Sequence, residues 1–513
     1  MKKTLIYMLL CALSFGATNC DSHFEELNTD PSRVKADAFN PQYLLTTAQL
    51  RYSGSADFSY ETWRAQLIYT STMVQHFATT IGYWAGDKYA QNDAYLSAYW
   101  ERSYDEQVKN VVDLVELTRE KPELANLHNV GRIMKVLIFH RITDLYGDIP
   151  YFEAGQGFYK QIFTPKYDKQ EDIYADMLKE LSEATAALPA ETDASFSGDL
   201  MYGGDLSKWK KFGNSLMLRL GMRLTKVNEA QAKEWAEKAV QGGVMASIDD
   251  NAKILHDAAG GRPTVNRISQ VLATSNPENQ GYVRWSKTFV DYLKNTNDPR
   301  LPVIAQTRNE AGIFGLPNGY ELDITQETDI SKAPNYDAAL SQYSYAGPAS
   351  FLIDLGAPTF FLTYGEVELL LAEAAQRGFS TGGTAESHYI AGVTASMKTI
   401  SQYPGSTAID DVAIANYLTA NPFDQANALE VINSQYWVTT IMNDYEAYSN
   451  WRRSGYPVLT PVDHRAGVTG GVIPRRFPYP AAEAAANAAN LDEAVSRLNG
   501  GNTLISRVWW DKQ

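Results

Sequence analysis

Apolar residues recur every three to four positions along most of this chain, and that spacing predicts helices. The pattern covers 41–52, 61–77, 92–118, 130–146, 170–188, 207–225 and 229–241, then 363–377, 384–400 and 426–450. Punctuation agrees with it. Gly147-Asp148-Ile149-Pro150 stops one run, Pro189 another, and Gly242-Gly243 and Gly378 close two more. Asp168 stands where an N-cap for the 170–188 helix is expected. Helices pair at about 35–45 residues, the period of stacked helical hairpins of the tetratricopeptide type, without a clean internal consensus.

Two stretches break the pattern. Residues 79–87 are bounded by Gly82 and Gly86 and predict a loop. Residues 258–358 are rich in Gly, Pro, Asn and Ser with scattered Tyr, and predict a long loop-rich insert with few short elements. An insert of that length in a compact protein is more often functional than not. Residues 460–480 are similarly irregular, and 481–490 predict a short surface helix.

The N-terminus has a different grammar. Lys2-Lys3 precede an apolar run from Leu5 to Phe15, which reads as an export signal over 1–19. The run is shorter than the ~20 residues a bilayer span needs. Ala17-Thr18-Asn19-Cys20 resembles a bacterial lipobox, with Asn19 where a smaller residue is usual, so Cys20 is expected to carry lipid. An ordinary cleaved signal is the alternative. Residues 20–40 form a polar tether, and 41–513 is expected to be one domain.

Composition narrows the function. Cys11 and Cys20 are the chain's 2 cysteines, so the exported protein has neither a disulfide nor a cysteine zinc site. The formal net charge is −15, and loss of the leader's two lysines makes it more negative. Nucleic-acid binding is disfavoured. Polyanion binding is disfavoured too, unless a local basic patch exists. No G-x-S-x-G, H-E-x-x-H, P-loop or EF-hand pattern occurs, and the 7 histidines include no i,i+4 pair. Glu366, Glu368 and Glu373 share one predicted helix. Capping and interhelix bonds account for them more simply than a glycosidase pair does. Arg452 and Arg453 at a helix end are expected to complement the dipole and pair with carboxylates. A satisfied core histidine is the expectation for His140.

Several segments together resemble the SusD/RagB family of Bacteroidetes outer-membrane lipoproteins, in its second SusD-like subgroup. They are Leu27-Asn28-Thr29-Asp30-Pro31, Asp144-Leu145-Tyr146-Gly147-Asp148-Ile149-Pro150, Asn297-Asp298-Pro299-Arg300-Leu301-Pro302, Tyr364-Gly365-Glu366-Val367-Glu368-Leu369-Leu370-Leu371-Ala372-Glu373, Tyr445-Glu446 through Trp451-Arg452-Arg453-Ser454-Gly455, Arg475-Arg476-Phe477-Pro478-Tyr479-Pro480 and Val508-Trp509-Trp510-Asp511. The resemblance implies a mainly α fold: four tetratricopeptide-like helix pairs as scaffold, with irregular segments as the ligand face. It implies a partner, a SusC-type TonB-dependent transporter of the outer membrane, and a non-catalytic role in capturing a glycan or, in some members, a peptide. Asp21, Glu25 and Glu26 resemble the acidic stretch that routes such lipoproteins to the cell surface. No cofactor is implied, and bound calcium stays open.

A sugar site wants exposed aromatic faces beside planar hydrogen-bonding groups. Tyr83 and Trp84 lie in the glycine-bounded loop, with Asp87, Tyr89 and Asn92 close behind. In the resembled family this loop contributes to the glycan site, which makes Trp84 the first candidate. On that reading Trp84→Ala weakens glycan binding and leaves stability nearly unchanged. The insert adds Tyr282, Trp285, Tyr320, Tyr336, Tyr343 and Tyr345. Tyr343 and Tyr345 are the most loop-like, Asn335, Asp337 and Gln342 lie near them, and Trp285 is expected to pack inward. Tyr95, Tyr99, Trp100 and Tyr104 recur at helical spacing and read as core.

Overall fold

In the computed structural model the described residues are 39–54, 60–189, 196, 198–261, 264–273 and 283–512. The leader, Cys20, the acidic tether and Tyr282 lie outside them. The chain divides into two compact units, Met1–Pro41 and Gln42–Gln513, and every helix and strand described falls in the second.

That unit is mainly helical. Its principal helices are α1 (Gln42–Ser53), α2 (Lys109–Thr118), α3 (Ala125–Tyr146), α4 (Gln170–Ala186), α5 (Leu206–Arg223), α6 (Glu229–Gly242), α7 (Lys287–Asn295), α8 (Tyr364–Gln376), α9 (Ala385–Thr399), α10 (Ala428–Thr439) and α11 (Asp444–Ser454). Neighbours in sequence lie side by side: α2 on α3, α4 on α5, α5 on α6, α8 on α9, α10 on α11. The caps explain several boundaries. Asp205 accepts from the backbone of Ser207 and Lys208 at the start of α5. Thr363 and Glu366 form a reciprocal capping box on α8.

Three expectations need correction. Asp168 does not cap α4. It accepts instead from the Tyr151 and Phe152 backbone N–H groups at 3.0 and 2.9 Å, while Asp148 accepts from Gln170 N at 2.8 Å. The apolar run 426–450 is two helices, not one. Met442 sits at φ 65 between them, and the break lets α11 start at Asp444, whose carboxylate meets buried His76 at 2.7 Å. The run 61–77 is a π-helix, Glu61–Thr70, one short α-turn, Ser71–Met73, and then a strand.

Among the described residues six short strands make three antiparallel pairs. β1 (Phe77–Thr79) pairs with β3 (Val283–Trp285), with Phe77 opposite Trp285 and Ala78 opposite Arg284. β2 (Ala252–Ile254) pairs with β6 (Thr359–Leu362), and β4 (Ala305–Gln306) with β5 (Gly347–Pro348). The insert is thus stitched to the scaffold through β1–β3, where Trp285, fully buried, stacks on Phe77 at 4.5 Å.

The helical scaffold is cross-braced by buried charge. On α5, Arg219 meets Glu366 of α8 at 2.7 Å, and Arg223 meets Glu446 of α11 at 2.6 Å and Asp144 of α3 at 3.3 Å. Tyr436 of α10 donates to Glu446 at 2.9 Å and reaches Glu366 at 3.3 Å. Asp144 also takes bonds from Tyr174 and from Trp510 Nε1, with His140 at 3.1 Å. A second cluster joins Arg453 to both oxygens of Glu373 at 2.6 Å, with Arg377, Asn433 and Asn450 around it. Glu368 instead meets His388 at 2.6 Å. All three glutamates of α8 are therefore interhelix partners.

Burial alone raises the Glu373 carboxyl, but Arg453 and Arg377 outweigh it and hold it at about 2, against an ordinary 4.5. A depressed carboxylate contributes stability that is complete above about pH 4.5 and lost as pH falls towards 2. We expect the urea midpoint of the native protein to fall through that window. In Glu373→Gln the midpoint at pH 7 is lower and its acid dependence shallower. An unchanged acid slope in the variant contradicts this account.

Candidate ligand-binding face

The loop after β1 is shaped by close backbone approach. A Cβ on Gly86 would stand 2.2 Å from the Ile68 carbonyl oxygen, so only glycine lets the loop lie on the π-helix. Asp87 then pins the loop to the insert. It is fully buried and accepts from Asn318 Nδ2 at 2.6 Å and from Gly319 N at 2.9 Å. Burial raises its carboxyl above the ordinary range, against the pull of Lys88. Tyr89 is 1 % exposed and left-handed at φ 52; its hydroxyl accepts from Val462 N, and its carbonyl accepts from Val468 N. Asn92 caps the Asp93–Leu96 turn through Tyr95 N. The loop, the insert and the irregular 460–480 segment are thus tied together at Asp87 and Tyr89.

Trp84 does not present its ring to solvent. It is 0 % exposed and belongs to the main core, where its indole N–H finds no acceptor. The glycines that suggested an open loop instead fold the loop over its own tryptophan. Asp87 and Tyr89 are likewise interior fasteners, and neither offers a free group to a ligand.

Tyr83 is exposed, at 38 %, and meets the half-buried Trp63 edge-on at 6.1 Å. On the same π-helix, Arg64 lies over the rings of Tyr60 and Tyr95 at 4.7 and 5.3 Å; from the separate helix Ala98–Arg102, Arg102 lies over Tyr60 at 4.2 Å. Trp63 was not among the residues sequence reasoning singled out. It sits in an apolar run read as α-helical, and the π-helix that the run forms instead has no sequence signature at this period.

In the insert, Tyr345 is 1 % exposed and donates to the Pro334 carbonyl at 3.0 Å. It forms a small core with Ala78, Leu316, Ile330 and Ala333, against which Tyr320 and Tyr336 are half-buried. Tyr345 is therefore structural, not a platform. Asp337 and Gln342 bond locally, to Ala339 N and Ser341 Oγ. Tyr343 stands apart, between two arginines.

A family model described as "starch-binding associating with outer membrane", SusD-like, matches residues 33–480. The chain belongs to the SusD-like family. Solved SusD-like structures agree with it closely. A chitin-binding protein is 36% identical with a TM-score of 0.82, covering 92% of this chain and 100% of its own. A Bacteroidetes SusD-like protein is 27% identical with a TM-score of 0.80, covering 93% and 100%. A chitin-binding SusD homologue from Flavobacterium johnsoniae is 26% identical with a TM-score of 0.76, covering 92% and 99%. No match was found among curated proteins.

The motifs that carry this SusD-like identity lie mostly in the cross-braces: Asp144, Glu366, Glu373, Glu446 and Arg453 are each one end of a buried ion pair. A cavity of about 640 Å³ lies beside the C-terminal residues 497–512, lined by Gly147, Asp148, Lys169, Arg497, Arg507 and Trp509 among others. Its charges are largely spent internally, Arg497 on Asp148 and Arg507 on Asp511. Among the described residues no three His, Asp, Glu or Cys side chains gather as a metal ion would require, and no helix is long and apolar enough to cross a membrane.

Proposed function

We propose that this SusD-like protein captures saccharide at the cell surface without catalysis and delivers it to a SusC-type TonB-dependent transporter, tethered to the outer membrane by lipid on Cys20. The observation that carries the saccharide reading is the exposed Tyr83 ring held against Trp63. Sugars offer apolar C–H faces, and an immobilised aromatic pair binds them at small entropic cost. Two of the similar structures are described as chitin-binding, which supports a β-linked amino-sugar oligomer as the first ligand to try. Asp87, Tyr89 and Asn92 contribute by holding the loop that carries Tyr83, and Tyr336 lies half-buried within the insert to which that loop is tied.

Calorimetric titration with chitotetraose tests the reading. Tyr83→Ala and Trp63→Ala are each expected to weaken binding at least tenfold, about 1.4 kcal/mol, with the melting temperature of Tyr83→Ala unchanged. Native affinity in both variants, or no binding of any oligosaccharide beside binding of peptides, refutes it.

A further inference from the structure

A separate cleft of about 210 Å³ opens where β3, β4 and β5 meet, lined by Arg284, Arg308, Tyr343, Gln306 and the β5 backbone among others. The Arg284 guanidinium lies 4.6 Å from the centre of the Tyr343 ring, and that of Arg308 lies 3.9 Å from it. Two cations thus share one aromatic ring, and among the described residues that line the cleft none is a carboxylate. Arg284 is only 6 % exposed, yet its Nε and Nη2 are buried without any acceptor. This is unlike the scaffold, where Arg219, Arg223, Arg300 and Arg453 each meet a carboxylate.

A buried cation without a counter-ion is costly, and a fold keeps one where something else supplies the charge. Burial, with Arg308 nearby, lowers the Arg284 guanidinium to about 10, which still leaves it charged at neutral pH. Tyr343 steadies both guanidiniums through its face and leaves their N–H edges free. Gly347 keeps the space open, since a Cβ there would stand 2.7 Å from Arg284 Nη1. A planar fork of N–H donors suits an oxyanion better than any neutral sugar hydroxyl.

We propose that this cleft binds the acidic group of a charged saccharide, a uronate carboxylate or a sulfate ester, through Arg284 and Arg308. The inference rests on the saccharide reading and narrows it. It also supplies the local basic patch without which a chain of net charge −15 would repel such a ligand.

The test is calorimetric titration of the native protein, Arg308→Ala and Arg284→Gln with four probes: trigalacturonate, its carboxyl-reduced counterpart, a sulfated chondroitin tetrasaccharide and chitotetraose. At least one acidic probe is expected to bind ten times more tightly than the reduced trisaccharide, and to weaken with added salt. Preference for trigalacturonate identifies a carboxylate, and preference for the chondroitin probe a sulfate. Arg308→Ala is exposed enough to fold normally and should remove that preference while chitotetraose affinity stays native. Chitotetraose binding with no preference for either acidic probe overturns this inference alone. An acidic preference that survives in both arginine variants overturns it as well. Failure of every oligosaccharide to bind overturns the saccharide reading and this inference with it.

Discussion

Glu446→Ala is expected to lower the unfolding free energy by about 3–5 kcal/mol, among the largest effects of any single substitution in this scaffold. The carboxylate is buried and takes Arg223 at 2.6 Å, Arg219 at 3.7 Å and the Tyr436 hydroxyl at 2.9 Å. Burial opposes its ionisation, but Arg223 and Arg219 outweigh burial and hold it below the ordinary carboxylate range. Its removal strands Arg223 with Asp144 alone and frees a second interior cation in part. Helices α3, α5, α8, α10 and α11 meet at this point, so the damage is shared by the whole bundle. Urea unfolding followed by tryptophan fluorescence measures it. Added salt should restore little, because ions do not enter the site. Glu446→Leu combined with Arg223→Met should recover much of the loss, since apolar pairs of similar size often replace buried ion pairs at no cost. A loss below about 1 kcal/mol, the range of an exposed pair, shows that the site is hydrated and the account wrong.

The scaffold was legible because helices announce themselves locally. Periodicity, the Thr363 and Asp205 caps and the Gly147 and Gly243 stops are all short-range signals, and the structure places helices within a few residues of most runs. The places where the reading failed depend on contacts far apart in sequence. Apolar residues recur at helical spacing through 426–450, and the break at Met442 goes with the meeting of Asp444 and His76, which lies 368 positions away. The same holds for the candidate site. The 79–87 stretch does break the helical pattern, and it meets the insert through Asp87 and Asn318. Which ring faces outward was not legible, because Tyr83 and Trp84 are adjacent and equally suited to either side. Gly86 decides it by admitting the loop onto the Ile68 carbonyl, a contact no local pattern encodes. Trp63 was hidden by the π-turn. The unpaired Arg284 was invisible for a related reason: a missing counter-ion is a property of the packed interior alone.

Those two adjacent rings give the sharpest contrast the fold offers. Trp84→Ala is expected to cost about 3–5 kcal/mol of stability, the range for emptying a large aromatic site in a core. It would lower ligand affinity only as far as the 79–92 loop loosens. Tyr83→Ala should do the reverse, leaving the unfolding midpoint in place and weakening binding at least tenfold. Trp84→Phe separates the causes further. It keeps much of the apolar volume and deletes an indole N–H that has no acceptor, so part of the packing loss is offset by the removal of an unsatisfied buried donor. Its cost should therefore be well below that of the alanine variant. Paired melting curves and titrations on the three proteins decide the matter. If Trp84→Ala melted with the native protein yet failed to bind saccharide, the ring would have to reach the ligand. The loop would then open in solution by more than a side-chain rotation, because Asp87 and Gly86 hold its backbone on either side of any smaller movement.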